Sequence, residues 1–327
     1  MKQIVSLFGS ENAENMQLNE EARSYAENLG LAYSWVPLQP FDKELAIKAL
    51  KTADAGIIDV DPFGESIFRE IASRTKLLVR FGVGYDAVDL KAASRHGIAV
   101  AITPGANSSG VAELALTLAL AVKRRVVNHH GFLNQGVWQK QMGSELSGAT
   151  VGIVGFGAVG RTLAKYLAGF DCTLLAHDPH PDEQQAKALN VQFTSLEVLF
   201  ESSDFISLHL PHNRSTDKII NREMIGRMKD SAVIVNTSRG GVVDDQALFD
   251  ALEGRRIAGA GLDVFTAEPI APDHPLVGLD NVVLTPHIAS YTHKSLWGIY
   301  KMALDTAADF FDGKPCPNIL NRDFAGG

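Results

Sequence analysis

Arg239, Glu268 and His287 lie far apart in the sequence, yet each stands just beyond a short apolar run. Arg239 falls in Asn236-Thr237-Ser238-Arg239-Gly240-Gly241, Glu268 in Leu262-Asp263-Val264-Phe265-Thr266-Ala267-Glu268-Pro269, and His287 in Leu284-Thr285-Pro286-His287-Ile288-Ala289-Ser290. A guanidinium presents a rigid planar fork that grips a carboxylate or a polarised carbonyl oxygen. An imidazole gives and takes a proton near neutral pH, and an adjacent carboxylate favours its charged form. Adding hydride to the C2 carbonyl of a 2-keto acid needs such a set: a cation to hold the substrate, a proton donor for the forming alkoxide, and a partner to tune the donor. Taken singly, Arg239 reads as a helix-end or surface ion-pair residue, His287 as a core histidine and Glu268 as a loop acid before Pro269. Their shared place at strand ends favours one site, because ligands of open α/β sheets bind at the carboxyl ends of the strands.

A second pattern supplies a place for the hydride carrier. Gly155-Phe156-Gly157-Ala158-Val159-Gly160 follows a buried-strand pattern at 150–154 and precedes a helical one at 161–168. In a strand–turn–helix context, Gly155 permits the tight turn, Gly157 lets the backbone approach a pyrophosphate and Gly160 lets the helix pack on the strand. Ala158 and Val159 then sit where a helix N-terminus offers free N–H groups and a favourable dipole. Asp178 ends the next apolar run, 178 − 160 = 18 residues beyond the last glycine. An acid at that spacing accepts hydrogen bonds from the adenosine ribose and repels a 2′-phosphate, so the pattern predicts NAD rather than NADP.

The elements that position these residues read as alternating strands and helices. Strands are predicted at 4–8, 55–59, 77–80 and 98–101, then at 151–155, 173–177, 205–208, 232–236, 261–264 and 282–285. Helices are predicted at 19–29 and 43–50, as one long element over about 109–128, and at 295–311. This alternation implies parallel sheets flanked by helices, and the second series of six strands matches a dinucleotide-binding domain. The chain has 327 residues, 46% apolar and 21% charged, with a formal net charge of −8 and no basic run. That balance argues against a nucleic-acid partner. The longest apolar stretch, 114–122, is far short of the ~20 residues a membrane helix needs, and the N-terminus enters a strand without a signal-peptide pattern. Cys172 and Cys316 are too few for a disulfide framework, and a cytoplasmic location is expected. His209 and His212, and the pair His129-His130, have no acidic or cysteine partner in the sequence, so no metal site is predicted.

Together these segments resemble the D-isomer-specific 2-hydroxyacid dehydrogenases over nearly the whole chain. The resemblance extends to Arg80-Phe81-Gly82-Val83-Gly84-Tyr85-Asp86, Asn107-Ser108-Ser109-Gly110-Val111-Ala112-Glu113 and Leu208-His209-Leu210-Pro211. It implies two α/β domains separated by a cleft: a Rossmann-type doubly wound sheet at 103–290, inserted in a smaller flavodoxin-like substrate domain at 1–102 plus 291–327. The crossings near Pro104 and Ala289 are expected to act as hinges. By the resemblance His287 is the acid and base, its pKa raised by Glu268, and Arg239 holds the carboxylate and keto oxygen. Asp263 orients the nicotinamide amide, while Leu210, Pro211, Thr237, Ser238 and Ser290 line the cofactor. Val83, Gly84 and Arg80 bind substrate, and the region around Leu114 to Trp138 is an arm for a homodimer.

The segment Met142-Gly143-Ser144-Glu145-Leu146-Ser147-Gly148 is most similar to phosphoglycerate dehydrogenases. Those enzymes, however, meet the substrate phosphate with a basic loop, and here the corresponding Asp59-Val60-Asp61-Pro62 is acidic. Phosphoglycerate, hydroxypyruvate and glyoxylate therefore all remain as substrates. Formate-specific members carry Gln where this chain has Glu268, which argues against formate. The residues after Pro317 leave no length for the amino-acid-sensing domain of some phosphoglycerate dehydrogenases, and none is expected. A second expectation, from the corepressors of the same family, is a non-enzymatic sensor of NAD(H).

Overall fold

The computed structural model describes residues 1–324 and divides into two compact units, Met1–Asn107 with 292–324, and Ser108–Tyr291. The first crossing falls later than the predicted 102/103. Thr103 explains why, since its N–H donates to Gly82 O at 2.9 Å and its Oγ1 accepts from Gly82 N–H at 3.0 Å. Those bonds keep 103–107 with the first unit.

In that unit β1 (Lys2–Ser6), β2 (Leu31–Trp35), β3 (Ala55–Ile58), β4 (Leu77–Arg80) and β5 (Ala99–Ala101) form one parallel sheet in the order β2-β1-β3-β4-β5. This is the flavodoxin-like order, with its switch between β1 and β3. Side chains alternate between two cores: Ile4, Ile57, Leu77 and Val79 enter one, Val5, Ile58 and Leu78 the other. Burial on both faces is why these strands read as unbroken apolar runs. β2 was not legible in that way; it is an edge strand with only two of its five residues fully buried.

The second unit carries β6 (Thr150–Val154), β7 (Thr173–His177), β8 (Val191–Phe193), β9 (Phe205–Leu208), β10 (Val233–Asn236), β11 (Gly259–Leu262) and β12 (Val282–Leu284). All are parallel, in the order β12-β11-β10-β9-β6-β7-β8. The sheet therefore has seven strands rather than the predicted six, the addition being the three-residue edge strand β8. Its switch point lies between β6 and β9, where a doubly wound fold binds its ligand. Helix Ser108–Lys123 packs so closely on one face that a Cβ on Gly261 would come within 2.8 Å of Leu118 Cβ. The single helix predicted to run to 128 is broken: Arg125 adopts φ 51°, and a new helix, Val126–Asn134, begins after it. Among the described residues no helix is long and apolar enough to cross a membrane.

Candidate active site

The glycine turn is built for a ligand. Gly155 has φ +94°, and a Cβ there would lie 2.5 Å from His209 O. A Cβ on Gly160 would lie 2.3 Å from Gly155 O, so the helix Ala158–Leu167 is seated directly on the turn. Gly157 differs, because its φ is −75° and a Cβ there would meet nothing within 4 Å. No contact inside the protein requires glycine at 157; open space above its backbone suits an approaching pyrophosphate. Gly157 caps the helix without a side chain, which leaves first-turn N–H groups around Ala158 and Val159 for an anion. Asp178 closes the turn: its carboxylate accepts from Phe156 N–H and His180 N–H, each at 2.8 Å. Leu210 is buried beside the turn and Pro211 is exposed. The hydroxyl of Thr237, at the end of β10, is buried without a hydrogen-bond partner. These features fit a dinucleotide.

His209 and His212 have structural employment. The His209 ring lies 2.9 Å from Ser207 Oγ and is held neutral by burial, its pKa pushed down to about 4. His212 pairs with Asp217 at 2.8 Å, an acidic partner the sequence reading did not anticipate. Among the described residues no group of three His, Cys, Asp or Glu gathers as a metal site.

The loops after β10, β11 and β12 bring Arg239, Glu268 and His287 into one neighbourhood. Buried Asn236 fixes the first: its Oδ1 accepts from Ser238 N–H and Oγ, and its Nδ2 donates to Arg239 O at 2.9 Å. Arg239 is half-buried, and its Nη1 donates to Ser238 O at 2.8 Å. Gly240 then brings this loop against the next, since a Cβ on it would lie 2.0 Å from Phe265 C. Glu268 accepts from Phe265 N–H at 2.9 Å through Oε1 and meets His287 Nδ1 at 2.7 Å through Oε2. Burial works to raise the Glu268 pKa, but the hydrogen bond and charge of His287, the Phe265 N–H and the charge of Arg239 outweigh it and hold the carboxyl below its usual range. The pair is a little over one-third exposed.

His287 itself stands in the left-handed region, at φ 54°. Asp263 holds it there. Fully buried, its carboxylate accepts from Thr285 Oγ1 at 2.6 Å, Ile288 N–H at 2.8 Å and Ala289 N–H at 2.9 Å, while its backbone oxygen accepts from His287 N–H at 2.9 Å. Charge-assisted bonds contribute about 1.5–3 kcal/mol each, which exceeds the roughly 1–3 kcal/mol of such backbone strain. Asp263 thus positions the His287 turn, a support that the sequence did not disclose. Ser290 follows that turn and is half-buried.

Residues 116–289 match the family described as D-isomer specific 2-hydroxyacid dehydrogenase, NAD binding domain. The glyoxylate reductase of Korarchaeum cryptofilum is 39% identical over 296 residues, 88% of this chain and 89% of that protein. The chain belongs to the D-isomer specific 2-hydroxyacid dehydrogenase family. The hydroxypyruvate reductase of Thermotoga maritima is 43% identical to this dehydrogenase over 227 residues, 68% of this chain and 73% of that one. The solved apo-structure of D-lactate dehydrogenase from Escherichia coli superimposes with a TM-score of 0.83 at 29% identity, covering 98% of this chain and 100% of its own. The dehydrogenase is an NAD-dependent enzyme acting on 2-hydroxy acids.

In the first unit, the residues expected to bind substrate follow β4. Arg80 is 5% exposed, with Nη1 3.9 Å from Asp59 Oδ1. The following loop is drawn tightly over it: Gly82 has φ +126°, and a Cβ there would lie 2.9 Å from Arg80 Nη1. Val83 is exposed and Gly84 half-buried. Asp61, after β3, is buried with Oδ2 unpartnered, and burial, reinforced by Asp59, raises its pKa to about 6 despite Arg80.

Proposed function

We propose that this enzyme reduces a short, unphosphorylated 2-keto acid of the glyoxylate or hydroxypyruvate kind, with Arg239, Glu268 and His287 as its catalytic residues. The observation that carries the reading is the 2.7 Å contact of His287 Nδ1 with Glu268 Oε2, in the charge field of Arg239. With Nδ1 engaged, Nε2 is the nitrogen that delivers a proton to the substrate oxygen. Glu268 remains a carboxylate and stabilises the charged imidazole before transfer. Arg239 grips the substrate carboxylate and turns a guanidinium N–H toward the keto oxygen, where negative charge develops. Backbone amides of Val83 and Gly84 bind the substrate carboxylate.

When bound at the glycine turn, NADH supplies the hydride. Asp178 selects against a 2′-phosphate, and Leu210, Pro211, Thr237, Ser238 and Ser290 line the dinucleotide. Substrate class follows from charge. Arg80, the cation at the end of β4, is opposed by two aspartates, and Asp61 already resists ionisation. A phosphate dianion added to that group would meet net repulsion. The enzyme is assigned to the cytoplasm on its two free cysteines, Cys172 and Cys316, and is proposed to be a homodimer through the arm that exposes Val126, Leu133, Trp138 and Met142. The test is a panel of glyoxylate, hydroxypyruvate, pyruvate and phosphohydroxypyruvate, followed by NADH absorbance. The reading requires kcat/KM for hydroxypyruvate at least tenfold above that for its phosphorylated form, and the reverse order removes the charge argument.

A further inference from the structure

The edge of the seven-stranded sheet opposite the reactive residues holds a cavity of about 220 Å³. Its wall includes Val233 at the start of β10, Ala258 just before β11 and Asn281 just before β12, together with Lys123, Arg125, Asn128, Ser144 and Ser231. The chain over it is held in place: Ser144 N–H donates to Lys123 O at 2.9 Å, and a Cβ on Gly143 would lie 2.6 Å from that same oxygen.

Lys123, the last residue of helix Ser108–Lys123, is only 5% exposed, and burial holds its ammonium below the usual lysine range. Among the described residues it makes no side-chain hydrogen bond and no ion pair. Asp204 attracts it without offsetting the cost of burial, and is itself bound by Lys229 Nζ at 2.8 Å and by Thr150 N–H at 2.9 Å. Arg125 has no ion pair among the described residues either. Asp280, the acid on the wall, is bound by Arg255. Asn281 contributes the opposite polarity: its Nδ2 donates to Leu252 O at 3.1 Å, while its buried Oδ1 has no partner. Lys123, a buried residue without a side-chain hydrogen bond or ion pair among the described residues, and the buried, unpartnered Asn281 Oδ1 lie on one wall, and an unsatisfied polar group is costly.

We propose that this cavity is a binding site for a small oxyanion, held by Lys123 and Arg125, with an O–H of the anion donated to Asn281 Oδ1. Hydrogenphosphate meets all of it, whereas a short carboxylate shares the negative charge for Lys123 and Arg125 but carries no O–H for Asn281 Oδ1. The volume suits an ion of a few heavy atoms rather than a dinucleotide. The site is separate from Arg239, Glu268 and His287, which follow the other ends of the same strands.

The test uses the full chain saturated with NADH, which keeps the probe away from the glycine turn. Thermal unfolding is followed as potassium phosphate replaces chloride at constant ionic strength, and acetate is run as a second arm. The midpoint is expected to rise by about 5 °C at phosphate concentrations a hundredfold above its Kd. Lys123→Met is expected to abolish that rise, to unfold in chloride at or above the wild-type midpoint because a buried unpaired charge is gone, and to keep wild-type turnover. Arg125→Gln gives the same comparison through a half-buried residue outside the core, with the phosphate rise at least halved. A rise with acetate that Lys123→Met abolishes also supports the site and makes carboxylates its ligands. Equal rises in wild type and Lys123→Met signify general salting and overturn the proposal, as does no rise with either anion.

Discussion

Replacing Glu268 with glutamine tests how the His287 pair works. The amide is nearly isosteric and can still accept from Phe265 N–H, so the loop keeps its shape while the charge beside His287 Nδ1 disappears. Two unit charges about 4 Å apart attract by ~1 kcal/mol at the permittivity of water and ~4 kcal/mol at an effective permittivity of about 20. Because both side chains are a little over one-third exposed, screening places this pair near the lower end, about 1.5 kcal/mol. The contact with His287 that holds the Glu268 carboxyl down is lost with that charge. Losing about 1.5 kcal/mol of attraction should therefore lower kcat/KM for 2-keto acid reduction about tenfold at pH 7 to 8 in Glu268→Gln. The loss should shrink only at low pH, where the wild-type Glu268 carboxyl, held below its usual range, takes up a proton. Stopped-flow NADH oxidation from pH 5 to 9 reads this directly. A profile that superimposes on wild type, or a loss confined to low pH, refutes the reasoning.

Further predictions rest on particular contacts. Gly157→Ala should leave the unfolding midpoint within about 2 °C, since its Cβ meets nothing, yet weaken NADH binding at least tenfold by calorimetry; Gly160→Ala should unfold well below wild type because its Cβ meets Gly155 O at 2.3 Å. Asp263→Asn leaves the Ile288 and Ala289 N–H groups competing for one acceptor, and should lower kcat at least tenfold while the Kd of NADH changes less than threefold. Arg239→Lys should raise KM for glyoxylate and cut kcat/KM about 10–100-fold, because an ammonium cannot reproduce the planar fork. Asp61 binds its proton more tightly folded than unfolded, so its contribution to stability falls as pH rises from about 4 to about 6. Asp61→Asn should thus gain up to about 3 kcal/mol in denaturant unfolding at pH 8 and little at pH 4.

The sequence disclosed what depends on local pattern. Strands buried on both faces, such as β1, β6 and β9, read as apolar runs, and the glycine turn was legible where Gly155 and Gly160 each answer a separate steric demand. Edge strands β2 and β8 stayed hidden because Ser34 and Gln192 interrupt their apolar runs, whereas the uninterrupted edge strands β5 and β12 were legible. The break at Arg125 was invisible because arginine carries no left-handed preference to announce it. Arg239, Glu268 and His287 were singled out by residue type and by place after a strand, but their supports were not. Asn236 and Asp263 act by hydrogen bonds to backbone groups several or many residues away, and only the folded chain shows them. The acid Asp59-Val60-Asp61 loop was legible as charge, whereas the burial that makes Asp61 hard to ionise was not.

The central claim is that His287, tuned by Glu268, gives the proton while Arg239 holds the 2-keto acid. Single-turnover reduction of glyoxylate by His287→Ala, with NADH prebound, tests it most directly. The account predicts a rate at least a hundredfold below wild type with NADH affinity unchanged. A variant that keeps a tenth or more of the wild-type rate would contradict it.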